Sequence, residues 1–190
     1  MRKFLSLCGL LSGVLLACGC ASLRLSGSVS GGEYTSAQGN FSVPFPVSPE
    51  VGGRVRRDNA ESVSFRDNWG SQISFYSAAF NAQSSMTSVL RAQGRAQALE
   101  AFAKAEYGDL IVPHYHPEIR EGAISFIFLK PVGPKTGVAA FLSGDRIYWV
   151  ATDLLPGVQL LAQTDEASQR DRETWLENRA LSLLQTMKIR

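Results

Sequence analysis

The chain has 190 residues, of which 45% are hydrophobic and 19% are charged, a composition that fits one globular domain and not a disordered chain. The formal net charge is +2, and the chain without Arg2 and Lys3 would carry 17 basic and 17 acidic residues. A domain that is neutral on balance lacks the electrostatic footprint of proteins that bind nucleic acid or an anionic bilayer, and nucleic-acid binding is excluded.

The cysteines exclude several kinds of site. Cys8, Cys18 and Cys20 all lie before residue 21, and no cysteine follows them. The remainder of the chain therefore has no disulfide framework, no thiolate nucleophile and no cysteine-based metal site.

Residues 1–17 have the features of a lipoprotein signal peptide. Two basic residues follow Met1, and an uncharged apolar stretch then runs from Phe4 to Ala17. This stretch is shorter than the ~20 residues that a membrane-spanning helix needs and is typical of a signal-peptide core. The sequence predicts export through a cleaved leader, with an uncleaved anchor as the alternative.

The residues Leu15-Leu16-Ala17-Cys18 resemble the lipobox of bacterial lipoproteins, in which a small residue precedes the cysteine that receives diacylglycerol. The resemblance implies cleavage before Cys18, acylation of Cys18, and attachment to a membrane through the acyl chains. Cys20, which follows Gly19, is the alternative lipidation site. Because neither Gly19 nor Ala21 is aspartate, the resemblance also implies the outer membrane, facing the periplasm.

Residues 18–33 are predicted to form the lipidated cysteine and a flexible tether, followed by a single domain over residues 34–190. Residues 23–32 read LRLSGSVSGG, and a Ser/Gly-rich coil of ~10 residues spans roughly 16–19 Å. A short edge strand from Leu23 to Val29 is the alternative for this segment.

The first half of the domain shows two strand patterns and then a helical one. A first strand begins at Phe41, and Pro44 places it at a sheet edge or at a strand end. Residues 62–66 and 72–76 alternate with period two around the turn at residues 67–70, which predicts a hairpin. Small and apolar residues at helical spacing predict a helix from Ser85 to Tyr107, with Gly108 as its stop.

A basic cluster precedes the hairpin. Arg54, Arg56 and Arg57 lie close together, with Asp58 and Glu61 nearby. The sequence favours a solvated loop or strand face here, with anion binding as the alternative.

The second half predicts more strands and a last helix. Strands are expected at residues 110–112 and 123–129, and a hairpin joins residues 137–142 to residues 146–151. The last helix is predicted from Asp165 to Met187, and Lys188 and Arg190 would suit its C-terminal dipole. Its predicted buried stripe consists of Leu176, Ala180, Leu183, Leu184 and Met187.

The order of strands and helices, together with Gly39-Asn-Phe-Ser-Val-Pro at the first strand and a leucine-rich last helix, resembles PsbP-like proteins. This group includes the extrinsic photosystem II subunit, a Ran-binding import factor and a phage-adsorption envelope lipoprotein. The resemblance covers roughly residues 34–190 and implies an α+β fold, an α/β/α sandwich with a mainly antiparallel sheet and two main helices. Members act mostly by binding or assembly, and no site residue or cofactor carries over.

Residues 113–118, Pro-His-Tyr-His-Pro-Glu, hold both histidines of the chain. On an extended strand His114, His116 and Glu118 would point to one side, where two imidazoles and a carboxylate could ligate zinc. Pro113 and Pro117 indicate an edge or a loop, so a solvated edge or a packing role is the favoured interpretation.

Motifs of nucleophilic, phosphate-binding and zinc-protease enzymes are missing from the sequence. No catalytic residue can be named, and no cofactor is expected. The predicted function is therefore a non-catalytic envelope lipoprotein that binds another envelope protein or a small ligand. The alternative is a metal-dependent or hydrolytic envelope enzyme that uses the His114/His116 segment.

Overall fold

The computed structural model describes residues 26–48, 51, 53–66, 71–80, 94–120, 122–129, 135–153 and 166–190. Over these residues the chain forms two helices and eleven strands. The helices are α1 (Arg95–Tyr107) and α2 (Glu166–Thr186). The strands are β1 (Ser28–Ser30), β2 (Glu33–Thr35), β3 (Phe41–Pro44), β4 (Val55–Asp58), β5 (Ser62–Arg66), β6 (Gln72–Ala79), β7 (His114–Tyr115), β8 (Ile124–Leu129), β9 (Lys135–Ser143), β10 (Arg146–Asp153) and β11 (Lys188–Ile189).

Within the described residues the strands form two sheets. The main sheet has the order β4-β5-β6-β10-β9-β8-β7, and the small sheet has the order β1-β2-β3-β11. Every strand pairing in both sheets is antiparallel. Both predicted hairpins are present as β5–β6 and β9–β10.

The main sheet separates two hydrophobic clusters, because successive side chains of a strand point to opposite faces. On β9, Ala139 and Phe141 pack with α2, whereas Val138, Ala140 and Leu142 pack with α1. The two helices therefore cover opposite faces of one antiparallel sheet. This arrangement confirms the predicted α+β class with an α/β/α sandwich and two main helices.

The small sheet corrects two expectations from the sequence. Residues 26–33 were expected in the flexible tether, but Ser28–Ser30 pairs with Glu33–Thr35 in a hairpin. This strand overlaps the end of the edge strand, Leu23 to Val29, that was the alternative for the segment. Lys188 was expected to suit the helix dipole, but it lies in β11 and pairs with Ser42 of β3. Tyr34 and Phe41 of this sheet pack into the cluster on the α2 side.

The two helices match their predictions to different degrees. The predicted buried stripe of the last helix is confirmed, because all five of its residues are buried, four of them on α2 and Met187 directly after it. The first helix was expected from Ser85, but in the structure Gly94 lies outside the helix with a φ of 92°, and α1 begins at Arg95. Residues 81–93 lie outside the described part of the chain. The predicted stop is confirmed, because Gly108 follows Tyr107 and donates its N–H to the Lys104 carbonyl at 2.9 Å.

The predicted strand at residues 110–112 is wrong. Leu110 lies in a turn after α1, and residues 111–113 have no regular secondary structure. Ile111 is buried in the α1-side cluster, whereas Leu110 and Val112 are exposed. Two apolar residues that the sequence pattern places in a strand thus face outward here.

The signal peptide at residues 1–17, and both candidate lipidation sites, Cys18 and Cys20, lie outside the described residues. In the part of the chain that the structure does describe, neither helix is both long enough and apolar enough to cross a membrane.

Candidate functional site

The candidate site is a cleft of about 430 Å³ between α2 and the β7–β8 edge of the main sheet. It has an apolar rim and a floor of charged side chains. The cleft is lined by Leu110, Val112, His114, Ile127, Arg170, Glu173, Thr174 and Glu177.

The rim is formed by the segment that connects α1 to β7. Leu110 is 98% exposed and Val112 is 70% exposed. Ile111, between them, is buried and holds the segment to the domain. Two neighbouring aliphatic side chains are therefore presented to solvent from an anchored backbone.

The floor contains an imidazole–carboxylate pair. His114 Nδ1 lies 2.9 Å from Glu177 Oε1 and 3.1 Å from Glu177 Oε2. Glu177 is mostly buried, with 15% of its side chain exposed. One helical turn earlier, Glu173 forms an ion pair with Lys135 at the start of β9. The floor is thus held by contacts between α2 and the strands beneath it.

A hydrogen-bonded network continues from this pair into the sheet. His116 Nδ1 lies 3.0 Å from Glu118 Oε1, and His116 Nε2 lies 2.8 Å from Ser125 Oγ. Ser125 Oγ also lies 3.4 Å from Glu177 Oε1. The Ser125 hydroxyl has one proton, which it donates either to Glu177 Oε1 or, when the imidazole proton is on Nδ1 and donated to Glu118, to His116 Nε2. The hydroxyl therefore lies between the His116–Glu118 pair and the His114–Glu177 pair.

The strand β7 is also tied to α1. The Tyr115 hydroxyl donates to Glu100 of α1. This bond raises the pKa of Tyr115, and burial raises it further. The pKa of Glu100 is lowered, first by its hydrogen bond with Lys104 and then by the bond from Tyr115. Because His114 and Tyr115 reach opposite helices, a strand of two residues fixes the position of the rim.

The order Ser125–His116–Glu118 has the connectivity of a nucleophile, a base and an orienting carboxylate. However, Ser125 is 0% exposed, so a substrate carbonyl cannot approach its Oγ in this conformation. The pKa of Glu118 is lowered, first by its own backbone N–H and then by the hydrogen bond with His116. This arrangement stabilises the sheet edge and does not expose a nucleophile.

The three metal candidates do not converge on one point. His114 and His116 both reach the Ser125–Glu177 side, but His114 pairs with Glu177 whereas His116 pairs with Glu118. Among the described residues, no group of three or more histidine, cysteine or acidic side chains is arranged to hold a metal ion.

Sequence reasoning located the histidine segment but missed most of its surroundings, including Ser125, Glu177, Leu110 and Val112. Ser125 is the register partner of His114 on β8, which a correct strand alignment would have shown. Glu177 is 63 residues from His114 in sequence, and no local pattern links them. Leu110 and Val112 were placed in a strand because a short apolar run is consistent with one.

No family model matches the sequence, and no curated protein matches it. Among solved structures the chain is similar to a cyanobacterial PsbP (CyanoP) from Synechocystis sp. PCC 6803, with 12% identity over 86% of this chain and 98% of that chain and a TM-score of 0.38. This protein belongs to the group that the sequence resembles. The α+β class of this chain follows from its own antiparallel sheets and two helices.

Proposed function

We propose that this protein is a bacterial cell-envelope lipoprotein that acts by binding and not by catalysis. Its partner is another envelope protein, which docks on the rim of the α2–β8 cleft. The anchor consists of acyl chains on Cys18, or alternatively on Cys20, and the domain faces the periplasm from the outer membrane.

The exposure of Leu110 and Val112 is the observation that carries the binding role. Apolar side chains that project side by side from an anchored segment are typical of a protein–protein contact. A small ligand is usually enclosed by the pocket that binds it, whereas Leu110 and Val112 line the cleft and are still 98% and 70% exposed. The geometry therefore favours a protein partner over a small ligand.

The anchor is supported by the lipobox resemblance at Cys18, and the short segment after it would hold the domain close to the membrane. Ser26 is hydrogen-bonded to the domain through the Asp58 carbonyl at 3.3 Å. The residues from Cys18 to Ser26 span at most ~29 Å when fully extended. A domain tethered in this way works within a few nanometres of its membrane.

In-cell photo-crosslinking tests the docking surface. The full-length protein would carry a photo-reactive phenylalanine at position 110 or 112, with position 29 as the control, because Val29 is also an exposed hydrophobic residue, at 40%. We expect one discrete crosslinked species from positions 110 and 112 and none from position 29. Leu110→Asp should remove the crosslink from position 112, because a buried carboxylate disfavours an apolar contact. Equal crosslinking from all three positions, or none from the rim, would contradict the proposed surface.

The second candidate is a hydrolase that uses Ser125. The observation that favours it is the hydrogen-bonded order of Ser125, His116 and Glu118. It requires a conformation in which Ser125 becomes accessible. Labelling of Ser125 by a fluorophosphonate probe would separate this candidate from the binding role.

A further inference from the structure

A second cleft, of about 260 Å³, lies at the other end of the main sheet. Arg56, Arg57 and Arg66 line it, together with Asn59, Ser62 and Gln72. On β5, Val63 and Phe65 face the α2-side cluster, so Ser62 and Arg66 face the opposite side of the sheet. The cleft is therefore on the α1 side of the main sheet, at the end of the sheet that lies beyond the strands that pack against α1.

A backbone irregularity brings two consecutive arginines to this face. Val55 is the partner of Phe65 and Arg57 is the partner of Ser64, so the register between β4 and β5 shifts by one residue at Arg56. In a regular strand neighbouring side chains point to opposite faces. A bulge re-aims one side chain, and here it allows both Arg56 and Arg57 to line the cleft.

Within the described part of the chain, the three guanidinium groups have no acidic partner in the cleft. Among the described residues that line the cleft there is no aspartate or glutamate. The nearby carboxylate of Asp58 is already engaged, because it accepts from the Tyr34 hydroxyl at 2.5 Å and from the Gly27 N–H at 3.0 Å. Three like charges that converge without a counter-charge repel one another, and a bound anion would remove that cost.

The floor of the cleft is polar and ordered by hydrogen bonds. Gln72 donates Nε2–H to Ser74 Oγ at 3.1 Å, and Ser74 Oγ lies 2.8 Å from Ser64 Oγ. The side chain of Asn59 accepts from the Ser62 backbone N–H at 2.8 Å and so fixes the turn between β4 and β5. These bonds hold the strands that carry the arginines in a defined arrangement.

We propose that the cleft lined by Arg56, Arg57 and Arg66 binds a phosphate group. Guanidinium groups present forked N–H donors that match the oxygens of a phosphate. The near-neutral net charge does not oppose this site, because net charge averages over the surface whereas the cleft concentrates positive charge locally.

The phosphate has two possible sources, a lipid headgroup or a free phosphate compound. Asp58, which holds Ser26 and Gly27, is the residue next to Arg57. Ser26 and Gly27, the first residues that the structure describes, are therefore held next to strand β4, which carries Arg56 and Arg57. The headgroup as a source rests on the proposed lipid anchor, whereas binding of free phosphate does not depend on it.

Protection of arginines from phenylglyoxal tests the site. The full-length protein in nonionic detergent would be titrated with inorganic phosphate at constant ionic strength, with chloride as the reference anion. Modification at each arginine is read by peptide mass spectrometry. In a second arm the protein is placed in nanodiscs of zwitterionic lipid, with or without phosphatidylglycerol, in a buffer free of phosphate. Arg95 and Arg190, which do not line the cleft, serve as internal controls.

We expect modification of Arg56, Arg57 and Arg66 to slow about tenfold when phosphate is at ten times its dissociation constant. In the variant Arg57→Gln/Arg66→Gln, protection of Arg56 should require about tenfold more phosphate. The variant Arg95→Gln/Arg190→Gln has the same net charge and should behave as the wild type.

Protection by inorganic phosphate supports the site with a free phosphate compound as ligand. Protection confined to the phosphatidylglycerol nanodiscs supports it with a headgroup as ligand. The proposal is overturned if neither arm protects the cleft arginines, or if Arg95 and Arg190 are protected to the same extent. Arg57→Lys keeps the positive charge but removes the forked N–H donors of the guanidinium group. The affinity of this variant for phosphate should fall between that of the wild type and that of the double variant.

Discussion

Tyr34 donates its hydroxyl proton to Asp58 Oδ1 at 2.5 Å, and this bond joins the small sheet to the edge strand β4 of the main sheet. The Tyr34 ring also packs edge-on against Phe65 of β5, with ring centroids 5.9 Å apart. Burial raises the pKa of Tyr34, and the hydrogen bond to Asp58 raises it further. The contact between the two sheets therefore depends on a protonated phenol.

This contact predicts a loss of stability at alkaline pH. The folded state holds the Tyr34 proton to higher pH than the unfolded chain does. The contribution of the Tyr34–Asp58 bond to the free energy of unfolding is therefore complete below about pH 10 and is lost as the pH rises above it. Each such tyrosine lowers the free energy of unfolding by up to ~1.4 kcal/mol per pH unit. In urea unfolding from pH 9 to 11, Tyr34→Phe should reduce the pH dependence of the free energy of unfolding by an amount that corresponds to about one proton. An unchanged slope would contradict the raised pKa of Tyr34.

Tyr34→Phe should also cost stability at neutral pH. The substitution removes a hydrogen bond to a carboxylate, and such a bond contributes about 1.5–3 kcal/mol to the free energy of unfolding in favourable cases. Because Asp58 is only part-buried and keeps the Gly27 N–H, we expect the low end of that range. Tyr115→Phe is the matched control, because the hydroxyl of Tyr115 binds Glu100 at an exposed position, and it should cost less.

Gly137 on β9 lies directly beneath the backbone of α2. A Cβ atom at this position would lie 2.5 Å from the Leu176 carbonyl oxygen and 2.7 Å from its carbonyl carbon. Gly137→Ala should therefore destabilise the domain by about 1–3 kcal/mol, since the helix must move away from the sheet. Gly144→Asn is the control, because Gly144 has a φ of 60° and open space around it, and asparagine tolerates that conformation. Equal stability of the two variants in chemical unfolding would show that α2 does not pack on β9 as described.

Ser125 is predicted to be a structural residue. A fluorophosphonate probe should not label it, because Ser125 is buried and its Oγ is hydrogen-bonded to His116 Nε2 and Glu177 Oε1. Ser125→Ala should cost about 1 kcal/mol by leaving His116 Nε2 without its buried donor. Active-site labelling that disappears in Ser125→Ala would instead establish the hydrolase.

Zinc should not bind tightly to the histidine segment. Both imidazoles are already paired with different carboxylates, and zinc would have to break at least one of these contacts to gain a third ligand. Isothermal titration of the purified protein with zinc, with His116→Ala as the control, measures this. Stoichiometric binding in the wild type that His116→Ala abolishes would support the metal-dependent alternative.

The sequence predicted the elements whose signals are local. The last helix was placed to within a residue, because Leu176, Ala180 and Leu184 repeat at helical spacing over a long segment. The β9–β10 hairpin was predicted because two mostly apolar runs flank the turn at Gly144.

The failures have tertiary causes. The β1–β2 hairpin is short and polar, and its place depends on Asp58, which lies 31 residues after Gly27. The run Leu110-Ile111-Val112 has the composition of a strand, but only Ile111 enters the core. In the site, the pairing of His114 with Glu177 links distant elements that no sequence pattern connects. Disagreements of this kind between pattern and structure concentrate at functional surfaces, which is consistent with a docking role for the rim.

Mass spectrometry of the N-terminal peptide, from full-length protein extracted from bacterial membranes, tests the central claim most directly. The predicted result is a chain that begins at Cys18 and carries diacylglycerol on its sulfur, with Cys20 as the alternative start. Cys18→Ser should leave an unprocessed precursor, whereas Cys20→Ser should be processed as the wild type. A chain that still begins at Met1 and carries no fatty modification would contradict the account.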